Sequence, residues 1–202
     1  MINIVALGPG SKEYILPAAT NQIEKSEYIV GFSRALEGFE ETQGIKVKVK
    51  SLKEIIDFIL ANEDKEISIL ASGDPLFYGI TNYIKLNYKG NINVIPGISS
   101  FQYLMAKLAK PWQKAQLGSL HGREEAFLQV VGENKLSIWL TDNINTPQNM
   151  CKKLFENYID ATIYIGENLS YEDEKITSGT PGELMDKEFT RLSVFVVERP
   201  GE

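Results

Sequence analysis

The 202-residue chain has a single cysteine, Cys151, so no intrachain disulfide can form, and a reducing, cytosolic setting fits that usage. It has a single histidine, His121, and with one of each a zinc site made by the protein is not expected. It has no basic excess: 21 Lys and Arg stand against 27 Asp and Glu, for a net charge of −6, which argues against bulk nucleic-acid binding. No apolar run approaches the roughly 18 residues that a membrane span needs. The amino terminus, MINIVALGPG, runs straight into a strand and a glycine turn, so no signal peptide is expected. No repeat and no low-complexity segment interrupts the chain. What remains is 43% hydrophobic and 24% charged, an ordinary composition for a water-soluble globular protein.

The apolar pattern of the first half alternates between strand and helix. Strands are expected at Ile2–Leu7, Tyr28–Gly31, Lys46–Lys50, Glu66–Ala71 and Ile92–Pro96. The segment KVKVK alternates strictly and belongs near a sheet edge. Helices are expected near Leu16–Ser26, Arg34–Phe39, Leu52–Ala61 behind a Ser51 cap, Phe77–Leu86 and Phe101–Leu108. Five strands with helical crossovers predict a mostly parallel sheet. The break at Lys110-Pro111-Trp112-Gln113 sets the expected domains at 1–110 and 114–202.

In the second half, strands are expected at Ala115–Leu120, Leu136–Thr141, Ala161–Ile165 and Ser193–Glu198, with Glu172–Ser178 a strand or hairpin. Helices are expected at Glu124–Val131, after the Thr146 cap, and at Thr180–Met185. Short links between the late strands predict a mixed sheet. The fold class is therefore α/β in two domains. Cys151 falls at a helical apolar position beside Met150 and Leu154, where it reads as a small buried hydrophobe.

Three loops at strand ends carry the chemistry. The turn Gly8-Pro9-Gly10 follows the first strand, but the dinucleotide fingerprint G-x-G-x-x-G fails because Glu13 stands at its last position, and no phosphate-loop lysine follows. The segment SGDPLFYG, 72–79, and the segment PGISS, 96–100, follow two further strands. Glycine-bearing loops at the carboxyl ends of parallel strands are where open α/β sheets bind ligands, and Gly73 and Gly97 allow close backbone approach. Asp74 either caps the following helix or accepts hydrogen bonds from a ribose or faces a cationic ligand. Ser99 and Ser100 have the same double reading. The segment SLHGRE places His121 and Arg123 in a loop where a guanidinium can grip a carboxylate, or where His121 is simply structural. Leu140-Thr141-Asp142-Asn143 and Gly166-Glu167-Asn168-Leu169 close two later strands. Polar strand ends in both halves imply a ligand site in a cleft between the domains.

Taken together, the strings AxGPG-like Ala6-Leu7-Gly8-Pro9-Gly10, SGDPLFYG and PGISS, in this order and spacing, resemble the tetrapyrrole methylase family, with Ala6 replacing the family's first glycine. Within that family Trp112-Gln113, SLHGR, LTDNINTP and GENLSYEDEKI are similar to the group that methylates C-5 of cobalt-precorrin-7 in cobalamin biosynthesis. The resemblance spans nearly the whole chain. It implies two α/β domains and S-adenosylmethionine held folded in the cleft. The cofactor residues expected on this basis are Leu7, Pro9, Gly73, Asp74, Phe77, Ser99, Ser100, Leu140, Thr141, Glu167 and Asn168, with no metal ligands. It assigns His121 and Arg123 to positioning a carboxylate-rich cobalt-precorrin. It implies a cytoplasmic homodimer, and transient contact with the decarboxylating C(15)-methyltransferase to which some relatives are fused; a chain ending at Glu202 reads as the free-standing form. Competing readings are another methylase of the family, acting at a different ring position, on a metal-free precorrin, on a modified histidine or on ribosomal RNA; a non-catalytic tetrapyrrole carrier; and a dehydrogenase, which lacks its fingerprint.

Overall fold

The computed structural model describes residues 1–120 and 126–200, which fall into two compact units, Met1–Ser99 and Ser100–Glu202. In the first, β1 (Ile2–Ala6), α1 (Pro17–Lys25), β2 (Tyr28–Gly31), α2 (Ser33–Leu36), β3 (Ile45–Lys48), α3 (Leu52–Ala61), β4 (Ile67–Ala71), α4 (Thr81–Asn87) and β5 (Ile92–Ile95) follow in order. The strands form one sheet, β3-β2-β4-β1-β5, with every pairing parallel and β3 at an edge.

This strand order fixes which face each helix covers. From β1 to β3 the chain steps toward one edge; from β3 to β5 it steps back. Right-handed crossovers then place the early and late helices on opposite faces. The cores agree: Val5, Ile29 and Leu70 pack with Ala19 and Ile23 of α1, while Ile4, Val30 and Ile69 pack with Ile55, Ile56 and Ile59 of α3 and Ile84 of α4. Each fully buried isoleucine is worth about 1.5–3 kcal/mol of transfer free energy. Polar pairs seal the sheet where alternation puts a polar residue inside: Ser26 and Ser68 share a hydrogen bond of 2.7 Å, and the Asn93 amide donates to Asn3 Oδ1 at 2.9 Å. The Ser51 cap forms as expected, its hydroxyl accepting the Glu54 N–H.

The second unit runs α5 (Ser100–Lys107), β6 (Gln116–Ser119), α6 (Phe127–Glu133), β7 (Leu136–Leu140), α7 (Pro147–Glu156), β8 (Thr162–Glu167), β9 (Lys175–Gly179), α8 (Pro181–Leu184) and β10 (Ser193–Glu198). Its sheet, β6-β7-β10-β8-β9, is mixed: β6 runs parallel to β7 and the other pairings are antiparallel. Trp139, Phe195 and Phe127 form its aromatic centre, with the Trp139 indole N–H donating to Ser137. Thr146 caps α7 before Pro147, and Thr180 and Glu183 form a reciprocal cap on α8. Cys151 is buried there, which pushes its thiol up to about 12, so it carries no thiolate at neutral pH.

Two details differ from the sequence expectation. The helix expected from Phe77 begins at Thr81, because Tyr78 adopts φ +51° and a Cβ on Gly79 would lie 2.5 Å from the Pro75 carbonyl oxygen. The division between units falls at Ser99/Ser100 rather than near Pro111. Helix α5 packs on β10, and its Leu104 fills the space over Gly166. It is also clamped within the second unit: Lys107 Nζ lies 3.2 Å from Glu174 Oε1, and Glu174 Oε2 accepts the Ser170 N–H at 2.7 Å. Hydrogen bonds to Tyr103 and then to Glu174 push Lys107 up to about 12.

Candidate functional site

The three glycine loops of the first unit converge because β4, β1 and β5 are adjacent. Past the strand ends the loops after β1 and β4 stay joined: Leu7 N–H donates to Ala71 O at 2.8 Å, and Gly73 N–H to Gly8 O at 2.7 Å, an antiparallel bridge beyond a parallel ladder. That reversal needs left-handed backbone, and Gly8 and Gly73 supply it with φ +73° and +64°. The third loop closes on this bridge. A Cβ on Gly97 would overlap Ala6 Cβ and sit 2.8 Å from Gly73 O and 3.5 Å from Gly8 N. A Cβ on Gly73, by contrast, would meet Ser99 Cα in ordinary contact at 3.8 Å. Just past the bridge the chain leaves β1 for one face of the sheet and β4 for the other, which is the crevice where doubly wound sheets take ligands.

Leu7, Pro9, Gly73, Asp74, Phe77 and Ser99 all lie on these loops, and Ser100 is the first residue of α5. Asp74 does not cap α4. Its Oδ1 accepts the Leu76 N–H at 2.8 Å, and its carbonyl accepts the Phe77 N–H at 3.1 Å, so it organises the loop seven residues before the helix begins. The carboxylate is half-buried at the rim. Phe77 and Tyr78 stack edge to face with centroids 5.0 Å apart. Ser99, the residue immediately before α5, is buried.

In the second unit, register aligns Ser119 with Leu140, Leu140 with Val194, and Ser193 with Glu167. The carboxyl ends of β6, β7 and β8 therefore share one sheet edge with the start of β10. Four buried polar residues stand along it: Ser119, Thr141, Glu167 and Ser193. Thr141 Oγ1 donates to Ser193 O at 2.9 Å, Ser193 Oγ to Thr190 O at 2.6 Å, and Thr190 N–H to Glu167 Oε1 at 2.7 Å. Glu167 is 3% exposed, and its Oε2 has no hydrogen-bond partner among the described residues. A buried carboxylate oxygen without a donor is costly and suits a site awaiting one. Asn168, at φ +45°, turns the chain away from β8 and donates to Asp173 at 2.7 Å.

The strand ends chosen from sequence are thus brought to one edge within each unit. His121 and Arg123 lie outside the described residues. Sequence reasoning did not reach the orphan oxygen of Glu167 or the Glu174–Lys107 clamp, since both depend on register. Among the described residues no cluster of His, Cys, Asp and Glu is arranged to hold a metal, and no helix is long and apolar enough to cross a membrane.

In the first unit the Asp74 carboxylate and the backbone carbonyls near the bridge suit a donor-rich, positively charged ligand; in the second, taken by itself, the Glu167 oxygen suits a hydrogen-bond donor. Comparison with known proteins points the same way. A protein of Methanocaldococcus jannaschii named probable cobalt-precorrin-7 C(5)-methyltransferase is 35% identical, over 98% of each chain. The Salmonella typhimurium cobalt-precorrin-7 C(5)-methyltransferase is 32% identical over 87% of this chain and 89% of its own. The crystal structure of a cobalamin-biosynthesis precorrin-6Y methylase from Archaeoglobus fulgidus superposes with a TM-score of 0.78 at 22% identity, covering 100% of this chain and 99% of that one. Uroporphyrin-III C-methyltransferase of Thermus thermophilus, solved with S-adenosylhomocysteine, reaches 0.79 at 18% identity, covering 98% and 91%. The family model for tetrapyrrole (corrin/porphyrin) methylases matches residues 1–185. With its bridged glycine loops, its two sheets and a match along nearly its whole length, the chain belongs to the tetrapyrrole methylase family.

Proposed function

We propose that this chain transfers the methyl group of S-adenosylmethionine to C-5 of cobalt-precorrin-7 in cobalamin biosynthesis. The observation that carries this reading is the 35% identity over 98% of both chains with the methanogen protein of that name. The bound cofactor supplies a sulfonium methyl; the methyl-to-sulfur bond breaks toward sulfur as the bond to the ring carbon forms, leaving S-adenosylhomocysteine. The protein's part is placement and exclusion of water, since the sulfonium already activates the methyl.

We assign cofactor contacts to Leu7, Pro9, Gly73, Asp74, Phe77, Ser99 and Ser100, and to Leu140, Thr141, Glu167 and Asn168. Asp74 and Glu167 Oε2 supply negative acceptors for the cofactor's amine and hydroxyl donors, and the glycine loops supply backbone groups. Arg123, with His121, is assigned to the substrate's acetate and propionate carboxylates. The transfer needs no dedicated base, so both are given a binding role. A cytoplasmic homodimer, with transient contact to the enzyme that acts at C-15, completes the reading.

The test is incubation of the purified chain with cobalt-precorrin-7 and S-adenosylmethionine. Expected is a singly methylated product by mass spectrometry with the new methyl at C-5 by NMR, and Arg123→Ala is expected to raise the tetrapyrrole KM while leaving S-adenosylhomocysteine affinity alone. A methyl at another ring carbon, or cofactor binding without transfer, overturns the assignment.

A further inference from the structure

Two loops present an exposed aliphatic side chain by the same device. After β4, Asp74 Oδ1 accepts the Leu76 N–H at 2.8 Å. After β7, Asp142 Oδ1 accepts the Ile144 N–H at 2.8 Å and the Asn145 N–H at 2.6 Å. In each loop an aspartate lies two or three positions beyond the last strand residue and holds the backbone two residues further on. Both turns are braced. Pro75 fixes the backbone before Leu76, and the Asn149 side chain donates to Ile144 O at 2.8 Å. Ile144 is 78% exposed and Leu76 65%, and among the described residues Ile144 is the most exposed aliphatic side chain.

A single exposed leucine or isoleucine is ordinary. These two are each held out by a carboxylate turn at the carboxyl end of a strand, within its own unit, beside a proposed cofactor residue (Asp74 in one loop, Thr141 in the other). The cofactor is small and polar, and the groups suited to it are the backbone amides and carboxylates behind these tips. What remains for the aliphatic tips is a ligand with extended apolar faces. On the reading that this chain methylates a corrin precursor, we propose that Leu76 and Ile144 are substrate-contacting residues that pack on the apolar ring faces of the tetrapyrrole. The carboxylates of the ring periphery are left to cationic groups such as Arg123. Burial of such a side chain against a ring is worth about 10-fold or more in affinity. Because both side chains are in water without substrate, removing them leaves the fold unaltered.

The experiment compares Leu76→Ser and Ile144→Ser with Leu60→Ser, an exposed leucine at the end of α3, away from the strand ends that carry the loops. Expected for each of the first two is a tetrapyrrole KM raised roughly 10-fold, an S-adenosylhomocysteine dissociation constant within about twofold of the parent, and an unchanged melting point; Leu60→Ser leaves all three alone. Leu76→Met and Ile144→Leu should restore most of the KM. Unchanged KM in both serine variants overturns the inference, as does an equal loss of cofactor affinity, or a change in self-association without a change in KM. Absence of any methyl transfer by the parent chain would instead overturn the functional reading itself.

Discussion

Gly97→Ala is expected to weaken S-adenosylhomocysteine binding severely and to lower the melting point. The new Cβ meets Ala6 Cβ and the Gly73 carbonyl oxygen, and neither is the far end of a flexible side chain. The loop after β5 must withdraw from the bridge between Gly8 and Gly73, or the bridge must open. Overpacking at a rigid site costs about 1–3 kcal/mol of stability. The larger consequence is functional: a displacement of about 1 Å at the loops proposed to hold the cofactor is expected to lower transfer roughly 100-fold. Calorimetry with S-adenosylhomocysteine should show binding severely weakened, together with a lowered melting point. Adding Ala6→Gly removes one of the two clashes and should recover part of both losses. A Gly97→Ala protein that binds and melts like its parent would mean that the three loops are not a packed platform.

Asp74 gives the second large effect, and here charge and loop geometry can be separated. Asp74→Ala removes both the acceptor of the Leu76 N–H and the negative group proposed to face the cofactor. Loss of a charge-assisted hydrogen bond costs roughly 1.5–3 kcal/mol, about 10- to 150-fold in affinity. Asp74→Asn keeps an oxygen for the Leu76 N–H and loses only the charge. Both variants should bind S-adenosylhomocysteine weakly, while Asp74→Asn retains the parent's melting point, since the residue caps no helix. An intact affinity in both variants with a sharp fall in melting point would make Asp74 a structural loop residue.

The strand-and-helix alternation, the two sheets and the three glycine loops were legible because each rests on local signals: apolar runs of four to six residues, hydroxyl caps at Ser51 and Thr146, and Gly or Pro punctuation. The segment PLFYGIT has helix-compatible composition, but Tyr78 at φ +51° breaks the helical run and α4 starts only at Thr81. Elsewhere a residue's role is set by something distant in sequence. Pro111 and Trp112 punctuate the chain more strongly than Ser99, yet α5 belongs to the second unit because Leu104 and Lys107 find partners at Gly166 and Glu174. Glu167 could be picked out as a polar strand end. That one of its oxygens holds the Thr190 N–H and the other has no donor among the described residues follows only from antiparallel pairing with β10.

The alternation of β3 acquires a different meaning at the rim of its sheet. Only β2 pairs with it, so the opposite side of β3 offers a row of backbone donors and acceptors to any passing strand. Lys46 and Lys48 run along that strand, with Lys50 just beyond its end. A second copy approaching edge to edge would bring like charges together at the distance where β-ladders form, and opposite-charge partners are absent from the strand itself. Lysines along an unpaired edge strand of an acidic protein are the kind of residue that disfavours edge-to-edge pairing between copies.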